Sequence, residues 1–224
     1  MGNFLTSDKS VIRLLTGLNC IVAGACLMLE LKVKEPGVLL LAFVTIGTGI
    51  DFTGSLIGDY VKNEKLLLLY TKLRFSLLNF GILFTPLCAA YVLQYFPSAS
   101  ICRALFSQFP LLLILSLITG GLFMFSHYVK DDAKGETGYT LDRGDKFTKC
   151  AFIIRKVVLL CSLIIAIVVV VEGIKTEMAL WSLLFGVVFV ATVPLHIFYK
   201  QLSSMAAELA TLVIILFGAG KVLL

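Results

Sequence analysis

Charge is scarce in this chain. Only 15% of its 224 residues are Asp, Glu, Lys or Arg, while 59% are apolar and the mean hydropathy is +1.00. Soluble domains carry about 25% charged residues. A water-soluble fold needs polar residues to cover its surface, so this deficit excludes one and turns the surface toward hydrocarbon.

Signatures of catalysis are missing as well. The chain has no G-x-S-x-G, no P-loop and no H-E-x-x-H, the arrangements that would bring a nucleophile, a phosphate cradle or a metal to one place. No enzyme is therefore expected. The six cysteines, at 20, 26, 88, 102, 150 and 161, include no C-x-x-C pair, which argues against a zinc site or a disulfide framework and leaves metal and cofactor unassigned. Lys and Arg form neither a stripe nor an alternation with aromatics, which excludes a nucleic-acid partner. No small-residue cleavage site follows the first apolar run, so that run reads as an uncleaved first helix.

What is present is a succession of long apolar runs. A helix needs about 20 apolar residues to cross ~30 Å of hydrocarbon, because in lipid each backbone N–H and C=O must be satisfied within its own segment. That criterion predicts an all-α bundle, a single transmembrane domain over residues 1–224. Its seven spans cover residues 12–31, 37–58, 75–96, 105–128, 157–174, 179–199 and 203–223, with six as the alternative count. The connection 129–149 mixes both charge signs with glycines and reads as a solvated loop.

Orientation follows from the basic residues. With seven spans, 14 of the 19 Lys and Arg fall on the face shared by the N-terminus and the even-numbered connections, and five fall on the other. The positive-inside rule then puts the N-terminus in the cytoplasm and the C-terminus outside. Tyr60, Tyr128 and Tyr199 fall at the inner interface, and Tyr91, Tyr95 and Trp181 at the outer one, the depths that amphipathic rings prefer.

Asp51 is the most informative residue. It lies within the second run, GVLLLAFVTIGTGIDFTGSLIG, with Gly47, Thr48, Gly54, Ser55 and Gly58 on its side of a helix. A carboxylate at such depth costs ~2.5–3.5 kcal/mol on insertion scales and belongs in a bundle interior or a wet cavity. Asn19, Asn79, His196 and Glu208 fall at related depths, within about two turns of the cytoplasmic ends of their spans. If these groups converge, they form a polar vestibule open to the cytoplasm and closed outward by an apolar plug. The expected function is a small transporter or channel. The alternative is a structural subunit that packs against a second copy or other membrane proteins through small-residue faces. Gly17, Gly24, Gly47, Gly54, Gly58, Gly120 and Gly121 are the candidate packing positions. Pro86 and Pro194 can kink the third and sixth spans.

Three short patterns carry weaker expectations. His127 and His196 share a side and a depth and would suit a haem iron only if they faced each other. His127 with Asp132 fits an H-x-x-x-x-D spacing. The opening MGNFLT fits the myristoylation pattern, with Gly2 as acceptor, and would tether the N-terminus to the inner leaflet.

Overall fold

The computed structural model describes residues 2–130, 139–198 and 201–224; within these, the side chains of residues 2–8, 55, 59, 79, 193–198 and 201–202 are not described. Eight helices and one two-stranded hairpin make up this part of the chain: α1 (Gly2–Val33), α2 (Pro36–Tyr60), α3 (Glu64–Leu93), α4 (Ser100–Ser107), α5 (Phe109–Phe125), β1 (Tyr128–Lys130), β2 (Tyr139–Leu141), α6 (Lys146–Ile174), α7 (Ala179–Phe198) and α8 (Gln201–Leu223). Five of the helices are long and apolar enough to cross a membrane, and the bent pair α4 and α5 makes a sixth if it counts as one span. The described apolar part of α7, Ala179–Thr192, is shorter than a full crossing. An all-helical membrane protein is the class these lengths and compositions define.

Large apolar side chains cover the outer faces: Ile21, Met28 and Leu31 on α1, Leu111 and Leu117 on α5, and Leu180 and Val187 on α7 are all exposed. In water such faces would aggregate; against acyl chains they carry no penalty. Inside, Phe52, Phe84, Leu87, Tyr91, Phe185 and Leu212 fill the core. α3 is the hub of the bundle, packed on α2, α4, α5, α6 and α8, while α1 lies on α2 and α8.

Local chemistry sets the helix boundaries. α1 ends where Lys34 takes a left-handed φ of 54° and Pro36 opens α2 with its missing N–H at a position that has no helical partner. Asn63 accepts from the amides of Lys65 and Leu66 and so starts α3 at Glu64. The helix of the third expected span therefore begins well before residue 75, and the basic Lys72 and Arg74 lie inside a continuous helix. Asp145 caps α6 by accepting from the amide of Thr148 at 2.8 Å.

The expected span 105–128 differs from the structure. It is broken at Gln108, where Pro110 sits in the first turn of α5, and α4 and α5 meet at a bend of 53°. It also stops at Phe125, because Ser126 is extended and leads into β1. Tyr128 pairs with Leu141 in the hairpin rather than ending a helix, and the 129–149 connection is partly ordered by β1, β2 and the start of α6.

Candidate functional site

Four charged side chains of the candidate spans come together near one end of the bundle. Asp51, Arg74, Arg155 and Glu208 lie seven to ten residues inside the ends of α2, α3, α6 and α8, roughly 10–15 Å along each axis. Arg74 donates its Nε–H to Asp51 Oδ1 at 2.6 Å, both side chains being largely buried. Beside this pair the Tyr70 hydroxyl donates to the Ile50 carbonyl and bonds the Thr53 hydroxyl, so α2 and α3 are latched by polar contacts over two turns. Gly54 makes room for the pair: a Cβ there would stand 2.6 Å from Arg74 Cδ.

Arg155 and Glu208 are differently placed. Arg155 feels the charges of both Asp51 and Glu208, and Glu208 feels Asp51, Arg155 and Arg74. Yet neither Arg155 nor Glu208 makes a direct hydrogen bond or close ion pair among the described residues. Both line a cavity of ≈370 Å³ between α3, α6, α7 and α8, with Thr48 of α2 at its edge. Leu77, Ile82, Leu159, Phe189 and Leu212 supply an apolar wall, and Lys156 adds a second cation. The volume falls within the roughly 300–1,000 Å³ of small-molecule sites.

α3 is locally depleted on the cavity side. A Cβ on Gly81 would meet nothing within 4 Å. Pro86 has no N–H for the Ile82 carbonyl, which therefore lacks its helical donor at a cavity-lining residue.

Of the residues singled out from sequence, Glu208 lines the cavity. Asp51 does not line it but stands behind it, held by Arg74. Asn19 is buried between α1 and α2, donates from Nδ2 to the Thr45 carbonyl at 2.9 Å and leaves Oδ1 without a partner among the described residues. The side chains of Asn79 and His196 lie outside the described residues. His127 is exposed on the hairpin, its Nδ1 3.4 Å from Asp142 Oδ2; Asp132 also lies outside the described residues. Of Gly2 only its place as the first residue of α1 is described. Arg74 and Arg155 are not among the residues singled out from sequence, because they fall just before the expected spans 75–96 and 157–174.

The glycines divide similarly. Gly54 packs tightly on Arg74, while Gly47 and Gly120 make ordinary contacts with Leu77 and Ser76. At Gly17, Gly24 and Gly121 a Cβ would meet open space, so these three make no close helix approach among the described residues. Gly58 is partly buried near the end of α2. The tightest helix approaches involve other glycines: Gly37 against Tyr91, Gly173 against Ser182, Gly186 against Val170 and Gly218 against Trp181.

At the ends of the helices, titration is shifted where geometry dictates. The Asp145 carboxyl is held below its usual range by the Thr148 amide, with a further hydrogen bond from the His127 amide. Burial pushes the Tyr128 phenol up. No protein-family model matches the chain, and no curated protein matches it.

Proposed function

We propose that this chain is a small multi-pass membrane transporter whose solute-binding site is the cavity holding Arg155 and Glu208, with the Asp51–Arg74 pair as its fixed electrostatic backing. The observation that carries this reading is that a basic and an acidic side chain line one cavity inside an apolar bundle with no hydrogen bond or close ion pair to either among the described residues. Charges buried in protein are normally paired because desolvation is costly, and ionisable groups at membrane depth are by default functional. Seven spans are the proposed count, with α4 and α5 forming one bent crossing and α7 another. Contacts of Arg13 with Tyr60 and of Lys130 with Glu64 gather basic residues at one end of the bundle, which supports a cytoplasmic placement of that end.

The test is directional water access. A Gly81→Cys variant, with the exposed Cys20 and Cys150 changed to Ser, is treated in sealed vesicles with a membrane-impermeant thiol reagent from either side. Modification from the N-terminal side supports a vestibule; protection from both sides sinks it.

A structural subunit is the second reading, favoured by the exposed, unoccupied Gly17 and Gly24 on the outer face of α1. Cys20 is exposed on the same helix. Disulfide cross-linking between copies at Cys20, combined with a sealed cavity, would select it.

A further inference from the structure

The cavity's hydrogen-bonding inventory narrows what it binds. Four threonines line it, and each has its hydroxyl proton committed to its own helix. Thr48 donates to the Val44 carbonyl at 3.1 Å, Thr85 to Gly81 at 2.8 Å, Thr192 to Phe189 at 2.6 Å and Thr211 to Ala207 at 2.8 Å. A hydroxyl carries one donor and two lone pairs, so these four can offer a ligand only acceptors. Glu208, when ionised, is also acceptor-only. Among the described lining residues, the remaining side-chain donors are Arg155 and Lys156.

Donors thus cluster on α6 and acceptors on α2, α3, α7 and α8, and apolar side chains make up the rest of the lining. A simple anion would satisfy Arg155 and leave Glu208 and the threonine oxygens facing it without donors. A simple cation would leave Arg155 unmet. Resting on the transporter reading above, we infer that the ligand is a compact zwitterion with an apolar body. Its anionic group sits on the Arg155 guanidinium, whose planar fork matches a carboxylate or phosphate. Its ammonium is shared by Glu208 and the threonine oxygens, and its apolar part lies on Leu77, Ile82, Leu159 and Phe189. A neutral amino acid with an aliphatic or aromatic side chain has this chemistry, and so does an ethanolamine phospholipid headgroup.

Binding to purified protein in phosphatidylcholine nanodiscs tests the inference, with L-leucine and L-phenylalanine as probes. Isocaproate, which keeps the carboxylate, and isoamylamine, which keeps the ammonium, serve as single-charge controls. At least one zwitterion is expected to bind at least tenfold more tightly than both controls. Arg155→Gln and Glu208→Gln are each expected to weaken that binding tenfold or more, and Gly81→Leu to abolish it by filling the cavity while the protein still elutes as folded material. Tighter binding in Glu208→Gln, equal binding of isocaproate, or no binding of either amino acid or of phosphatidylethanolamine would overturn the zwitterion.

Nanodiscs containing phosphatidylethanolamine separate the two sources. Tenfold competition, or binding of this lipid alone, assigns the headgroup, and undiminished amino-acid binding assigns the free solute. Both results uphold the ligand class. The two proposals fail separately: an accessible Gly81→Cys without zwitterion binding sinks the ligand class alone, and zwitterion binding to a cavity sealed from both sides sinks transport alone.

Discussion

Arg74 and Asp51 form a short ion pair across α2 and α3, 2.6 Å from Nε to Oδ1, with both side chains largely buried in the bundle. Removing one member of a buried pair strands the other charge and typically costs about 3–5 kcal/mol, whereas removing both costs much less. Asp51→Ala and Arg74→Leu are each expected to lower stability by about 3 kcal/mol, and the double variant by well under their sum. Reversible unfolding in mixed micelles measures the cycle. Additive losses would mean that the two charges are stabilised independently.

Gly54 gives a second, linked expectation. An added Cβ would fall 2.6 Å from Arg74 Cδ and 2.7 Å from its Nε, so Gly54→Ala must displace the guanidinium from Asp51. The clash is expected to outweigh the gain of up to about 1 kcal/mol that Ala brings over Gly in a helix and to give a net loss of about 1 kcal/mol. Gly17→Ala and Gly24→Ala, with nothing within 4 Å, should keep that gain. Opposite signs of the shift in midpoint are the readout, and the Gly54 penalty should shrink in an Asp51→Ala background.

How much of this was legible before the fold is clear from the charges. Asp51 announces itself because it interrupts an apolar run. Arg74 and Arg155 do not, because each precedes an apolar run and a hydropathy profile reads them as interfacial. Only the Asn63 and Asp145 caps, which start α3 and α6 upstream of these arginines, carry them inside the helices. Asp51 and Glu208 could be ranked as candidates from one dimension; that Asp51 is satisfied by Arg74 while Glu208 faces a cavity depends on helix rotation and neighbours. The break at Gln108 had a local cue in Pro110, but an uninterrupted hydropathy signal masked it. Which glycines meet a neighbouring helix within the chain was not legible, because spacing along a helix says nothing about whether another helix stands opposite: Gly54 meets Arg74, while Gly17 faces open space.

Asp145 should make the start of α6 sensitive to acid. Its carboxylate accepts from the Thr148 amide at 2.8 Å and the Thr148 hydroxyl at 3.0 Å, and its pKa is lowered mainly by the amide bond. A depressed folded pKa means the cap's contribution is complete above the unfolded value near 3.9 and is lost as pH falls through the lower folded value. Amide exchange in the first turn of α6, extrapolated for its intrinsic pH dependence, should rise in that acid window. Asp145→Asn, an equally good cap without a charge, should remove the acid sensitivity and retain protection at neutral pH. Unchanged acid sensitivity in this variant would place its origin elsewhere.

Trp181 is the chain's only tryptophan, and sequence reasoning put it at the outer interface. Two residues into α7, it is buried against α8, where its Nε1–H donates to the Ile214 carbonyl at 2.7 Å and its ring stacks on Phe185 at 6.1 Å. Gly218 permits this approach, since a Cβ there would come within 2.5 Å of the indole Nε1. A helix backbone does not yield readily at a single position, so Gly218→Ala should move the ring off Ile214 and leave a buried N–H unmet, a loss of about 1–3 kcal/mol. Because no other indole contributes, tryptophan emission reports the displacement directly: the variant is expected to shift in wavelength and gain quencher access, while Gly220→Ala, with open space at its Cβ, should leave the spectrum unchanged. Matching spectra for the wild type and Gly218→Ala would show that α7 and α8 do not meet through this contact.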